Sequence, residues 1–164
     1  MRVSVLLGLL LAFGSAAHES AAQSGEVRCP TPGAQLTFSD GSHIEAVSGQ
    51  GNYVCRFKSL KTQKTFDRLF GSFLPTNPLV EANAEKFRSL APFQVGRKIT
   101  FKNSGASVRG TDGFWFHEVS IERFETVTTA AGTFSAFVIL WNEQTSGGGR
   151  WQSRYWYSPD VNYT

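Results

Sequence analysis

Residues 114–157, FWFHEVSIERFETVTTAAGTFSAFVILWNEQTSGGGRWQSRYWY, decide the fold of this chain. Side chains alternate in the first part, so that one face receives Trp115, His117, Val119 and Ile121 and the other receives Phe116, Glu118, Ser120 and Glu122. A period of two is typical of a β-strand. Turns at 130–132 and 147–149 lead into two further strands, of which 133–142 is apolar on both faces and is predicted to be central. Successive strands joined by short turns predict an antiparallel meander.

The rest of the chain predicts shorter strands and one helix. Asp40-Gly41 is a strong hairpin signal. Strands are predicted at 35–38, 43–47, 53–59, 66–74 and 98–102, with turns at 48–52 and 103–105. Asn77 before Pro78, followed by apolar residues at three- and four-residue spacing, predicts a helix over 78–90. The predicted fold class is mainly β, an antiparallel meander or barrel-like sheet with one short α-helix.

The N-terminus has the pattern of a secretory signal peptide. Arg2 supplies a positive charge, residues 3–13 are almost entirely apolar, and small residues follow. Cleavage is expected after Ala22, with Ala17 as the alternative position. We therefore expect a signal peptide at 1–22 and a single β-rich domain at 23–164. The protein is expected to be periplasmic or secreted, with no transmembrane segment after signal cleavage.

Both cysteines of the chain, Cys29 and Cys55, lie in the expected mature part. An even number of cysteines in an oxidising compartment predicts a disulfide bond. A redox or metal role is the alternative, but the chain has no C-x-x-C pair and no histidine at ligand spacing. We expect a structural disulfide, no metal and no cofactor.

The charge balance limits the partners that the chain is expected to bind. The formal net charge is +3. A mildly basic protein is attracted to an anionic cell envelope, but this charge falls well short of what a nucleic-acid-binding domain carries. We expect an envelope ligand or protein as the partner, and no nucleic acid.

The chain shows no recognisable catalytic pattern. No serine has glycine at both −2 and +2, and there is no H-E-x-x-H motif. His117 lies on the same face as Trp115 and Val119, which favours a core or interface role over that of a general base. Glu118 and Glu122 lie about 13 Å apart along one strand, which is typical of a solvated face. No catalytic residue is assigned.

A basic run precedes the predicted helix and consists of Arg56, Lys58, Lys61, Lys64 and Arg68. One interpretation is a docking patch for an anionic glycan, a lipid head group or an acidic protein. The alternative is a solvated strand face and turn, where lysine also discourages edge-to-edge pairing.

Aromatic residues are concentrated on two strands that are expected to pair: Trp141, Trp151, Tyr155, Trp156 and Tyr157. Exposed aromatic rings on a small sheet stack on sugar rings or line an acyl pocket. The alternative is cross-strand packing in the core. Because Trp151 and Tyr155 point opposite to Trp156, one of the two sets is expected to be exposed.

Short motifs from about Leu90 onwards carry a resemblance. They are Pro92 with Val95-Gly96, Ala131-Gly132-Thr133-Phe134, and the strand end Tyr155-Trp156-Tyr157-Ser158-Pro159. In this order they resemble a family of bacterial secreted or periplasmic β proteins of unknown function. The resemblance implies a fold and carries no catalytic residues. It also implies a further strand after the YSP turn, so that the chain is either clipped at Thr164 or lacks that strand.

These observations predict a non-catalytic exported envelope protein that binds a ligand or partner through its β-sheet. Two alternatives stay open at this point. One is a hydrolase of envelope polymers that uses His117 with an Asp or Glu. The other is a secreted inhibitor of a hydrolase, in which a disulfide-stapled basic β domain presents a loop.

Overall fold

The computed structural model describes residues 24–49, 53–71, 74–75, 78–106 and 112–164. The predicted signal peptide therefore lies outside the described residues. The elements are β1 (Ser24–Gly25), β2 (Gln35–Thr37), β3 (His43–Gly49), β4 (Val54–Ser59), β5 (Thr65–Leu69), β6 (Leu74–Pro75), α1 (Pro78–Ala82), α2 (Ala84–Arg88), β7 (Phe93–Gln94), β8 (Lys98–Ala106), β9 (Asp112–Thr129), β10 (Gly132–Thr145) and β11 (Arg150–Tyr157).

The last four strands form one antiparallel sheet in the order β11-β10-β9-β8. This order confirms the predicted meander, and the sheet stays open in the described part of the chain because its edge strands β8 and β11 do not pair with each other. Strand β10 is interior as expected, and residues 136–139 are buried on both faces. A bulge opposite Val138 and Ile139 leaves Glu122 as the extra residue of β9.

One face of this sheet, here called the inner face, packs against the helical segment to form the main core. Phe87 of α2 packs against Phe101 of β8, with ring centroids 5.2 Å apart. Phe93 of β7 meets Tyr157 of β11 edge-on at 5.2 Å. Edge-to-face contacts between aromatic rings stabilise such a core beyond the area they bury. The sheet therefore presents its opposite face, here called the outer face, to solvent.

The first half of the chain forms a second antiparallel sheet in the order β2-β3-β4-β5-β6. Cys55 and Phe57 are buried on one face of β4, in agreement with the strand predicted at 53–59. The predicted disulfide between Cys29 and Cys55 is present. Tyr163, which follows β11, packs edge-on against Phe57 at 5.8 Å and so connects the end of the chain to this second core.

The predicted single helix over 78–90 is wrong in one respect, because the structure has two short helices that meet at Asn83. The Asn83 side-chain amide donates a hydrogen bond to the carbonyl of Leu79 at 3.0 Å. Asparagine competes in this way with the helical backbone pattern. The backbone of Asn83, with φ −118° and ψ 17°, then leaves the helical region. Asn77, the predicted helix cap, lies outside the described residues.

Two other predicted boundaries also differ from the structure. The strand predicted at 66–74 ends at Leu69, because Phe70 and Gly71 both adopt positive φ values (53° and 62°) and turn the chain. The turn predicted at 103–105 is instead part of β8, which continues to Ala106. Residues 103–105 are of types that favour turns, but their pairing with β9 keeps them in the strand.

The start of the described chain is held in place by a close contact. Gly25 in β1 pairs with Phe93 in β7. A Cβ atom at Gly25 would lie 2.3 Å from a ring carbon of the buried Phe137. Only glycine fits at this position without moving the core.

Substituting this glycine tests the contact. We expect Gly25→Ala to lower the free energy of unfolding by about 1–3 kcal/mol, because the buried Phe137 ring has little room to shift. Denaturant unfolding measures the change. The control is Gly147→Ala, whose Cβ would meet nothing closer than 3.9 Å. An equal effect of the two substitutions would contradict the argument.

Removing the disulfide tests how the second sheet is stabilised. Cys29 and Cys55 are 26 residues apart in sequence. Closing a loop of this size stabilises the folded state by about 3–4 kcal/mol in the chain-entropy model. We expect the free energy of unfolding in urea to be lower by this amount in the double variant Cys29→Ser/Cys55→Ser. A reductant should destabilise the wild type but not the double variant. A loss below about 1 kcal/mol would argue against the loop-closure account.

Candidate ligand-binding site

The strand register places two rows of mostly polar side chains on the outer face of the four-stranded sheet. The first row crosses the sheet as Thr100, Glu118, Asn142 and Gln152. The second row, two residues along each strand, is Lys102, Phe116, Gln144 and Arg150. Because side chains alternate between faces, the row between them points to the inner face. That intervening row is Phe101, His117, Glu143 and Trp151.

These rows line a cavity of about 860 Å³. Its lining residues come from all four strands, and most of them belong to the two outer-face rows. The intervening inner-face row and Lys86 of α2 contribute the rest. The complete lining is Lys86, Thr100, Phe101, Lys102, Phe116, His117, Glu118, Asn142, Glu143, Gln144, Arg150, Trp151 and Gln152. We call this feature the sheet groove. Its size is in the range of ligand-binding clefts.

Amide and aromatic groups occupy the middle of the sheet groove. The Gln152 amide nitrogen donates a hydrogen bond to the Asn142 side-chain oxygen at 2.9 Å. Phe116 is 47% exposed although it belongs to a sheet of packed aromatics. The Lys102 ammonium lies 3.6 Å from the ring centroid of Phe114 and 5.3 Å from that of Phe116. The groove thus offers hydrogen-bonding groups beside exposed ring surface.

The charges of the sheet groove are unevenly compensated. Glu118 forms an ion pair with Lys98 at 3.5 Å. Among the described residues, the side chains of Lys86, Lys102 and Arg150 form no ion pair. The groove therefore carries positive charge at Lys86, Lys102 and Arg150. The charge of Glu118, the one carboxylate on its outer face, is compensated by Lys98.

A network of ion pairs continues the outer face beyond the groove. Arg154 and Arg123 both bind Glu122, at 3.0 Å and 2.7 Å. Hydrogen bonds from these cations, with that of Arg154 contributing most, hold the pKa of Glu122 below its ordinary value. Arg123 binds Glu125 at 2.8 Å, and Trp156 donates its indole N–H to the same carboxylate at 2.8 Å. The hydrogen bond from Arg123, followed by that from Trp156, lowers the pKa of Glu125. These carboxylates are charged and already engaged.

His117 lies under the groove, on the inner face, in a buried polar cluster. Its Nδ1 accepts a hydrogen bond from the indole N–H of Trp141 at 3.1 Å, and its Nε2 is 2.5 Å from Oδ1 of Asn103. An indole N–H only donates, so Nδ1 carries no proton and Nε2–H donates to Asn103. The imidazole ring also stacks on Phe101, with centroids 4.5 Å apart. Both ring nitrogens are therefore occupied by neighbouring side chains.

Glu143 completes this cluster, with Oε1 3.2 Å from Nδ1 of His117. Burial lowers the pKa of His117 and raises the pKa of Glu143. Both shifts favour the uncharged forms of the two groups. The pair resembles a catalytic dyad in composition, but a general base needs a nitrogen that reaches a substrate. With His117 only 4% exposed, the geometry favours a structural role.

The structure separates the five aromatic residues predicted to bind a ligand. Strands β10 and β11 pair as expected. However, Trp141 and Tyr157 are buried in the main core, so their predicted place on a ligand surface is wrong and the packing alternative applies to them. Tyr155 is partly buried beside the same core. Trp151 is 51% exposed and Trp156 is 37% exposed, on opposite faces of the sheet.

The basic run also divides between two faces of the second sheet. Arg56 and Lys58 share one face of β4, and Arg56 forms an ion pair with Asp67 at 2.8 Å. Lys61 and Lys64 are exposed in the turn between β4 and β5. Arg68 is opposite Cys55 in the register and lies over the Phe66 ring at 4.6 Å, so it points away from Arg56. A single five-residue patch is therefore wrong.

Of the residues that line the sheet groove, the sequence singled out Trp151 as a ligand-binding candidate but not the polar residues around it. Lys102, Asn142, Gln144 and Arg150 are ordinary polar strand residues, and nothing in their spacing marks them as a group. One signal was available. Phe116 falls on the same face as Glu118 and Ser120, so an aromatic ring on a polar face already indicated an exposed contact surface.

The described residues contain neither a membrane-spanning helix nor a cluster of metal-binding side chains. Neither described helix is long and apolar enough to cross a membrane. Within the same residues, no group of three or more His, Cys, Asp and Glu side chains is arranged to hold a metal ion.

Comparisons with known proteins show little similarity. No protein-family model matches the chain, and no curated protein matches it significantly. Among solved structures, the chain is similar to the hypothetical lipoprotein YmcC from Escherichia coli (K12), with a TM-score of 0.43 and 15% identity. The alignment covers 79% of this chain and 73% of that one. At this level the similarity carries no argument about function.

The buried histidine predicts a specific pH dependence of stability. Because the folded-state pKa of His117 is lowered, the unfolded chain takes up a proton first as the pH falls. The stabilisation is present above about pH 6.5, the ordinary histidine pKa, and is lost as the pH falls from there towards the folded-state value. The slope is at most about 1.4 kcal/mol per pH unit. Glu143, whose pKa is raised, contributes in the opposite direction.

Two variants isolate this contribution in denaturant unfolding between pH 7.5 and pH 5. His117→Gln keeps an acceptor for Trp141 but does not titrate, so its stability should fall less steeply with acid than that of the wild type. His43→Gln, which removes an exposed histidine from the second sheet, is the control for the loss of one histidine elsewhere in the chain. Parallel profiles of the wild type and His117→Gln would refute the assignment.

Proposed function

We propose that this protein is a non-catalytic exported envelope protein that binds a ligand through the outer face of its four-stranded sheet. The observation that carries the proposal is the sheet groove, where polar side chains and the exposed Phe116 line a cavity of about 860 Å³. Binding sites combine such a concave surface with a few polar groups that fix the orientation of the ligand. The groove lies on a rigid sheet, which favours a preformed site.

Export to the periplasm or the medium is part of the proposal. The N-terminal sequence has a charged start, an apolar run and small residues. The Cys29–Cys55 disulfide is typical of an oxidising compartment. These two observations support export and a mature domain that starts at residue 23.

The side-chain arrangement at the groove supports binding over catalysis. The nitrogens of His117 are occupied by Trp141 and Asn103, and Glu118 is neutralised by Lys98. A hydrolase of envelope polymers would need a carboxylate or imidazole free to move a proton at the substrate. The groups that face the groove instead offer hydrogen bonds, positive charge and ring surface. The inhibitor alternative stays a prediction.

Native mass spectrometry of the protein isolated from the periplasm tests this function. We expect the wild type to carry an added non-protein mass. Phe116→Ala should weaken retention of this ligand by about 1 kcal/mol, roughly fivefold in affinity, because an exposed aromatic contact is removed. Titration of the released ligand back into each protein by calorimetry measures the difference.

Val47→Ala is the matched control, since Val47 is also an exposed apolar strand residue (39%) but lies in the second sheet. This variant should bind like the wild type. The proposal fails if the wild type carries no added mass and takes up nothing from an envelope extract. It also fails if Phe116→Ala and Val47→Ala bind the ligand equally well.

A further inference from the structure

Two of the cations that line the sheet groove, Lys102 and Arg150, lie on opposite sides of it. Lys102 belongs to the edge strand β8 and Arg150 to the opposite edge strand β11. They occupy the same cross-strand row, with Phe116 and Gln144 between them. Three strand spacings separate their backbones, which is roughly 14 Å. A ligand that carries acidic groups at two separate points can contact both cations at once.

The groove also offers groups that bind sugar hydroxyls, with Gln144 between the two cations and Asn142 and Gln152 in the neighbouring row of the same face. Asn142, Gln144 and Gln152 carry planar amides, each with two donors and an acceptor oxygen. Asn142 and Gln152 are already held in place by their mutual hydrogen bond. The exposed ring of Phe116 provides a flat apolar surface for the C–H face of a sugar ring. Amides and aromatic rings side by side complement a molecule that alternates hydroxyl edges with apolar faces.

We propose that the ligand of the sheet groove is an anionic glycan, a sugar polymer with carboxylate groups, whose acidic groups are bound by Lys102 and Arg150. This proposal rests on the proposed function and specifies its ligand. Charge complementarity carries it, because Lys86, Lys102 and Arg150 form no ion pair among the described residues, whereas the acidic Glu118 is paired. Arginine and carboxylate form a bidentate, charge-assisted contact.

Other ligand classes fit the groove less well. An acyl chain needs an enclosed, mostly apolar pocket, whereas the two rows on the outer face contain a single aromatic ring among polar side chains. The larger aromatic cluster, with Phe87, Phe93 and Phe137, is packed in the core on the inner face. An acidic protein would also be attracted to the two cations, and binding of a protein is one of the outcomes that the experiment separates.

Calorimetric titration of the mature protein with a hexamer of galacturonic acid, and with maltohexaose as a neutral hexamer, tests the ligand class. We expect the uronic acid hexamer to bind and the neutral hexamer to bind at least about tenfold more weakly, the equivalent of one charge-assisted hydrogen bond. Raising the salt concentration from 20 to 200 mM should weaken binding of the acidic hexamer, because the groove is open to solvent.

Charge-matched variants locate the site. Lys102→Gln/Arg150→Gln should weaken binding of the acidic hexamer at least about tenfold. The control Lys61→Gln/Lys64→Gln removes the same charge from the exposed turn of the second sheet and should change binding less than about twofold. Circular dichroism checks the folding of each variant, and the salt dependence of the wild type provides a readout that needs no variant.

The outcomes separate the two proposals. Equal weakening by the two double variants would show a non-specific charge effect and overturn the anionic-glycan site. If both hexamers bind equally and Phe116→Ala weakens both, the groove is a binding site but its anionic specificity is wrong. If neither hexamer binds while the protein retains another ligand or an acidic protein in a manner that depends on Phe116, the proposed function stands and the glycan class is overturned.

Discussion

The pairing of β9 with β10 is the constraint on which the rest of the structure depends. It runs over almost the full length of both strands and fixes which side chains share each cross-strand row. Strands β8 and β11 add to its two sides in the same register. A shift by one residue would exchange the two faces of the sheet. The bulge at Glu122 turns Phe124 towards the core, where it packs against Phe137 at a centroid distance of 4.6 Å.

This register gives the two faces of the sheet different side chains. The inner face carries the aromatic core and a buried polar cluster around His117, in which each hydrogen-bonding group has a partner. Burying such groups costs free energy unless they are paired. The outer face carries ion pairs around Glu122 and Glu125, and beside them Lys102, Phe116 and Arg150 remain exposed to solvent. The groove floor is held by the packed core directly beneath it.

Sequence reasoning predicted the architecture well and the candidate site only in part. The alternation of Trp115, His117 and Val119 correctly indicated one buried face, and the glycine turns correctly joined the strands. The number of aromatic residues on β10 and β11 suggested a larger ligand surface than the structure has. Trp141 and Tyr157 are core residues, and of the five candidates Trp151 and Trp156 are substantially exposed. A two-residue alternation predicts which residues share a face of a strand. It does not predict which of the two faces other elements will cover.

Local periodicity, turn chemistry and composition were enough to predict the antiparallel meander, the buried strand face and the pairing of the two cysteines. That Lys102, Phe116, Gln144 and Arg150 meet in one row became visible only in the folded chain. The same is true of the packing of α2 against the inner face. The physical reason is that cross-strand neighbours are far apart in sequence, and register arises from the packing of whole strands.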